Sequence, residues 1–243
     1  DGRVMRIEGG LDAFRVTDHS DVPERILVPV DPVQVVSVDW RPGREEPLVA
    51  YRSLGSVQAT GRGIVLPEGL TAGKVDCCGT MAAIVSRPCK DVDASDAPDF
   101  VLGYTAALDL VAREVGEEVE ALPSARARSF DGFCPLGPVL ATADEFGSGS
   151  PGQVKFLKNR EVVGEIAVGR LLGRLPDILA YLSEGTTVLP GTIILLGPIG
   201  PTLRDMDGEP FLKPGDEISV EVENVGVLNN RIVELKEAQA NDG

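Results

Sequence analysis

Few of the side chains that usually carry chemistry are present in this 243-residue chain: it has one histidine, His19, and four cysteines, Cys77, Cys78, Cys89 and Cys134. A Ser-His-Asp relay would have to use His19, and a zinc site built on several histidines is impossible. The cysteines form no C-x-x-C pair and are too sparse for a disulfide-stapled small domain, so they read as reduced, mostly buried thiols. The Gly/Ser-rich segment from Phe146 to Gln153 is followed by neither a lysine nor a helix start in P-loop fashion, which argues against a phosphate cradle. Glu114, Glu117, Glu118 and Glu120 read as a solvated face rather than as paired catalytic carboxylates.

The elements that must position such groups are short and β-rich. The 28 glycines and 18 prolines punctuate apolar segments of strand length. Strands are expected at Val4 to Ile7, Ala13 to Val16, Ile26 to Val30 and Val33 to Trp40, before a charged turn from Arg41 to Pro47. Others are expected at Leu48 to Leu54, Ile64 to Leu66, Met81 to Val85 and Thr192 to Leu196. A hairpin is expected from Val154 to Val168, and a closing pair runs from Ile218 to about Leu235. Two segments carry helical spacing: Leu108 to Leu122, with Val111, Val115, Val119 and Leu122 on one face, and Leu175 to Glu184, with Pro176 in its first turn and Gly185 as a stop. The pattern is α+β and β-rich, with residues 1–46 as a small N-terminal β domain and 47–243 as the main domain.

Charge excludes some functions. The 23 Lys+Arg against 38 Asp+Glu leave −15, a surface that repels a phosphate backbone, so neither nucleic acid nor an anionic membrane is an expected partner. No apolar run approaches the roughly 20 residues needed to cross a bilayer. A soluble, cytoplasmic protein is the expectation.

The stretch Arg126-Ala-Arg-Ser-Phe-Asp-Gly-Phe-Cys-Pro-Leu-Gly-Pro138 resembles the signature of the fumarylacetoacetate hydrolase family. Val101 to Glu114, Leu179 to Gly191, Leu212 to Asp216 and Val225 to Ile232 are similar to further family segments and occur in the family's order. The resemblance implies a twisted β-roll of mixed sheets around a central pocket, preceded by a small N-terminal domain and forming a homodimer. It also implies chemistry on enolisable 1,3-dicarbonyl or 2-oxo acids. A magnesium or manganese ion would bridge adjacent substrate oxygens and stabilise the developing enolate.

Against the family pattern, the pocket is rewritten. The two glutamates expected on one strand are Cys78 and Thr80, so of the implied metal ligands only Asp109 remains. One carboxylate and a neutral hydroxyl do not satisfy a hard cation; any metal would have to sit at Asp109, a soft one with Cys78. The lid segment that carries a His-Glu pair is missing between Trp40 and Leu48, and His19 is not its equivalent. The expected lysines are Arg52 and Arg128, which keep charge without amine chemistry. The family's threonine-bearing loop reads Leu196-Gly197-Pro198.

The resemblance therefore implies, as the leading expectation, an enzyme with no cofactor that acts on an enolisable or tetronate-like small molecule as a tautomerase, lyase or cyclase, a chemistry suited to natural-product biosynthesis. Asp109, with its pKa raised by burial, and Arg128 are its catalytic candidates; Arg52, Cys78, Thr80, Tyr104, Arg113 and Phe130 are its substrate-binding candidates. An ion pair between Asp109 and Arg113 is the plain structural alternative. The alternatives in function are a magnesium- or manganese-dependent hydrolase, decarboxylase or isomerase of acylpyruvate-like substrates, and a non-catalytic binding protein.

Overall fold

The computed structural model describes residues 4–10, 13–21, 26–40, 45–67, 74–113, 125–146, 152–199, 202–203 and 211–235. Fourteen strands make three sheets among these residues. Strands β1 (Val4–Gly10) and β2 (Ala13–Asp21), the latter carrying His19, pair antiparallel as a hairpin of their own. Ile26 to Val30, expected as a strand, is irregular chain. The next strands are β3 (Gln34–Asp39), β4 (Leu48–Arg52), β5 (Val57–Ala59), β6 (Gly63–Val65), β7 (Val75–Val85), β8 (Val101–Ala112) and β9 (Cys134–Thr142). The chain continues through the expected hairpin, β10 (Gln153–Lys158) and β11 (Glu161–Ala167), and two helices, α1 (Val168–Leu172) and α2 (Leu175–Ser183). It closes with β12 (Thr192–Leu195), β13 (Glu217–Val222) and β14 (Gly226–Val233).

The seven-stranded sheet has the order β4-β3-β12-β7-β8-β9-β5, and the five-stranded sheet the order β11-β10-β13-β14-β6. Both are mixed: β12 runs parallel to β3, β5 to β9 and β14 to β6, while the other pairs are antiparallel. The protein is thus α+β and β-rich, as the sequence implies. Strand β3 falls within the expected 1–46 unit, yet it hydrogen-bonds to β4 and β12 as a member of the seven-stranded sheet.

The expected helix from Leu108 is the chief correction. Residues through Ala112 form the end of β8, paired residue for residue with β7; residues 114–124, with the glutamate cluster, lie outside the described part. The sequence misleads because β8 is a central strand buried on both faces, and such a strand loses the alternation that marks a half-exposed one. Helix α2 does form where expected, burying Leu175, Ile178, Leu179 and Leu182 on one stripe, with Pro176 in its first turn.

The two large sheets pack face to face. Met81, Leu108 and Leu110 from one side meet Phe156, Val220 and Leu228 from the other in a single apolar cluster. Gly79 sets the closeness of that approach, since a Cβ there would lie 2.7 Å from Phe156 Cβ and 3.0 Å from Val220 Cγ2. The other face of the seven-stranded sheet carries a second cluster that includes Val35, Ala82, Ala107, Cys134, Leu136 and Ile193. No helix among the described residues is long and apolar enough to cross a membrane.

Candidate functional site

The candidate residues converge on this second face. Strand alternation places Cys78 directly opposite Asp109 across the β7–β8 ladder, and Thr80 opposite Ala107 one row further on. Arg52 ends β4, paired with Val35 of β3. Strands β4 and β8 are the first and fifth in their sheet, so a flat sheet would hold them about 19 Å apart at ~4.8 Å per strand, beyond the reach of one side chain. Yet Arg52 Nη2 donates to Asp109 Oδ1. The sheet is therefore curled, and its concave face brings its first strand over its middle.

Three ionic groups form the centre. Arg128 sits in a short 3-10 turn, Arg126–Arg128, and its Nη1 donates to both Asp109 oxygens, at 2.6 and 2.5 Å. The turn is tied down by Ser129, whose hydroxyl accepts from Ser53 N at 2.9 Å and donates to Ala125 O at 2.6 Å. Arg52 uses all three nitrogens: Nε donates to Ser37 Oγ at 2.8 Å, Nη1 to Phe133 O at 3.1 Å and Arg128 O at 3.4 Å, and Nη2 to Asp109. Arg128 Nε, in contrast, is buried with no partner among the described residues. The Arg52 side chain is fully covered, whereas those of Arg128 and Asp109 keep 10% and 12% exposure, so the less covered side of the cluster is the Arg128–Asp109 pair.

The electrostatics reverse the expected direction of the Asp109 shift. Burial pushes its carboxyl up, but the charges of Arg128 and Arg52 and their hydrogen bonds outweigh burial and hold it below its usual value of 3.8. Near neutral pH it is a carboxylate held by two guanidiniums. Cys78 and Cys134 border the cluster as neutral thiols. Burial, reinforced by the Asp109 charge, raises Cys78 well above its usual value, and burial pushes Cys134 up to about 11 against the pull of Arg52. All four cysteines are free and buried, as the sequence suggests.

Three other candidates lie elsewhere or are already engaged. Tyr104 is on the opposite face of β8, in the core between the sheets, with its ring 5.8 Å from that of Phe146. Arg113 does not meet Asp109; its Nε donates to Asp76 Oδ2 at 2.8 Å and its Nη2 to the same oxygen, in an ion pair with a fully covered carboxylate. Phe130 is part-buried against Phe133, 5.2 Å between ring centroids, beneath the Arg126 guanidinium. Arg52, named as a substrate contact, has every nitrogen occupied within the protein. Ser37 and Asp76 were not singled out from sequence. The signal for Ser37 was a polar residue on the inward parity of an otherwise apolar strand.

A divalent cation does not fit this donor set. Both oxygens of Asp109 are held by guanidiniums, the Cys78 thiol keeps its proton, and Thr80 Oγ1 donates to Met81 O at 3.1 Å. Among the described residues no group of three or more His, Cys, Asp or Glu could hold a metal ion.

Comparison with known proteins agrees with this architecture. Residues 30–233 match the family model described as fumarylacetoacetate (FAA) hydrolase C-terminal. Human oxaloacetate tautomerase FAHD2B, mitochondrial, is 31% identical over 193 residues, covering 79% of this chain and 60% of that protein. This chain thus spans about 60% of that relative's length. The crystal structure of 2-hydroxyhepta-2,4-diene-1,7-dioate isomerase from Mycobacterium marinum superposes with a TM-score of 0.82 at 26% identity, covering 96% of this chain and 88% of the other. Fumarylacetoacetate hydrolase from Exiguobacterium antarcticum does so with 0.78 at 28%, covering 93% and 83%.

Proposed function

The chain belongs to the fumarylacetoacetate hydrolase family, and on that premise we propose that it is a tautomerase or isomerase of a small enolisable oxo acid that stabilises the enolate with arginine rather than with a divalent cation. Related proteins named as an oxaloacetate tautomerase and a heptadienedioate isomerase support proton-shifting chemistry over C–C cleavage. So does the resemblance, in which the family's histidine-bearing lid segment has no counterpart between Trp40 and Leu48.

One observation carries the reading: Arg128 has a buried Nε–H with no partner among the described residues, while the Asp109 carboxylate fixes its Nη1. In the proposed reaction a proton leaves the carbon next to the keto group for water. The C–H electron pair forms the C=C bond, and the carbonyl π pair moves onto oxygen, where the Nε–H meets the growing negative charge. The oxygen then takes a proton from water, giving the enol. A preorganised donor at a developing oxyanion is worth about a hundredfold to a thousandfold in rate.

The experiment is keto–enol conversion of oxaloacetate followed by enol ultraviolet absorbance, with chelator present. Wild type should accelerate it, and Arg128→Gln should lose about a hundredfold. Turnover that depends on added magnesium or manganese, or survives Arg128→Gln, would overturn the reading. The fixed ionisation of Asp109 and the neutral thiols beside it favour a second reading, a ligand-binding protein without turnover. Acceptance of the ligand with no rate enhancement would favour that one.

A further inference from the structure

Two guanidiniums against one carboxylate leave the cluster with one unit of positive charge, and its two neighbouring thiols are neutral. The nearby Asp76–Arg113 pair cancels itself. The two arginines divide the work. Arg52, fully covered, spends its donors on acceptors from three separate elements: Ser37 on β3, Asp109 on β8, and the main-chain carbonyls of Arg128 and Phe133 that bracket the turn leading into β9. Arg128 has its Nη1 pinned by Asp109 and its main-chain carbonyl pinned by Arg52, while its Nε has no partner among the described residues. An unsatisfied buried donor on a cation costs free energy in the empty protein that an anionic oxygen would remove.

We propose that Arg52 is a positioning residue, the permanent internal cation of Asp109, and that it orients Arg128 so that the Nε edge receives one planar carboxylate. The inference rests on the site used in the proposed function but not on turnover. It makes the ligand class a small carboxylate or its coplanar oxo acid, since a guanidinium edge matches two coplanar oxygens. It also makes the site one that takes an anion and repels a divalent cation.

The test is calorimetric titration of the intact protein with oxalate at constant ionic strength, together with electron paramagnetic resonance of added Mn²⁺. Oxalate should bind one to one, and Arg128→Gln should weaken it by about a hundredfold. Arg52→Lys keeps a charge near Asp109 but cannot reach the other three acceptors. It should fold with unchanged circular dichroism and weaken oxalate by about tenfold. Ser37→Ala, which removes only the Nε acceptor of Arg52, should fold normally and weaken oxalate severalfold, and it decides the matter if Arg52→Lys does not fold. Unchanged oxalate affinity in Ser37→Ala and in any folded Arg52→Lys would overturn the positioning role. Unchanged affinity in Arg128→Gln, or stoichiometric Mn²⁺ binding by wild type, would overturn the site itself. Oxalate binding that follows this pattern without oxaloacetate tautomerisation would refute the enzyme reading and leave this inference standing.

Discussion

Arg52→Met is the substitution that most directly probes what holds the centre of this protein together. Methionine fills much of the buried volume but supplies no donor, so Ser37 Oγ, Phe133 O, Arg128 O and Asp109 each lose a partner. Breaking one side of a buried ionic cluster costs about 3–5 kcal/mol. Because Arg128 still neutralises Asp109, the lower end applies, about 3 kcal/mol. For a chain of this size that is a fall in melting temperature of roughly 6–12 °C. Thermal and urea unfolding of Arg52→Met, Asp109→Asn and the double variant form a cycle whose coupling should exceed about 1 kcal/mol, because the two side chains share a hydrogen bond. A loss below about 1 kcal/mol in Arg52→Met, or strict additivity in the cycle, would refute the claim that the arginine is the cluster's structural cation.

Acid should act on the same cluster. The folded-state pKa of Asp109 is depressed, so its contribution to stability is present above the unfolded carboxylate value near 3.9 and is lost as pH falls through the lower folded value. Melting temperatures of wild type and Asp109→Asn should therefore differ by a constant amount between pH 5 and 7, on the order of a few degrees, and converge only below about pH 4. A gap that closes between pH 5 and 7 would contradict the assigned ionisation. Gly79→Ala should destabilise the protein by about 1–3 kcal/mol in urea unfolding, because the added methyl meets Phe156 and Val220 between two packed sheets. A neutral effect would mean that the sheets separate more easily than their packing implies.

Much of the fold was legible because its parts obey local rules. The hairpin of β10 and β11 lies between segments that alternate on either side of Lys158-Asn159-Arg160-Glu161, and Asn159 and Arg160 adopt the positive φ that such a tight turn requires. Helix α2 has a first-turn proline, a 3.6-residue apolar stripe and a glycine after it. The candidate site was legible only in part. The resemblance singled out Arg52, Cys78, Asp109 and Arg128, and these do gather on one face of the curled sheet.

By itself, then, the sequence determined the family, the β-rich architecture and the identity of the residues, Arg52, Cys78, Asp109 and Arg128, that the resemblance singles out. Each of these is a matter of residue identity and short-range spacing. The tertiary structure decided which charges meet. Tyr104 lies five residues before Asp109 and Arg113 four residues after it, yet Arg113 pairs with Asp76 of the neighbouring strand β7, and Tyr104 faces away. Arg52 reaches Asp109 only because the seven-stranded sheet curls, a property of strand twist and of the cores on its two faces that no local pattern encodes. That curl lowers the pKa of Asp109 where burial alone would raise it, because the pKa of a buried group is set by whichever neighbours the fold places within a few ångströms.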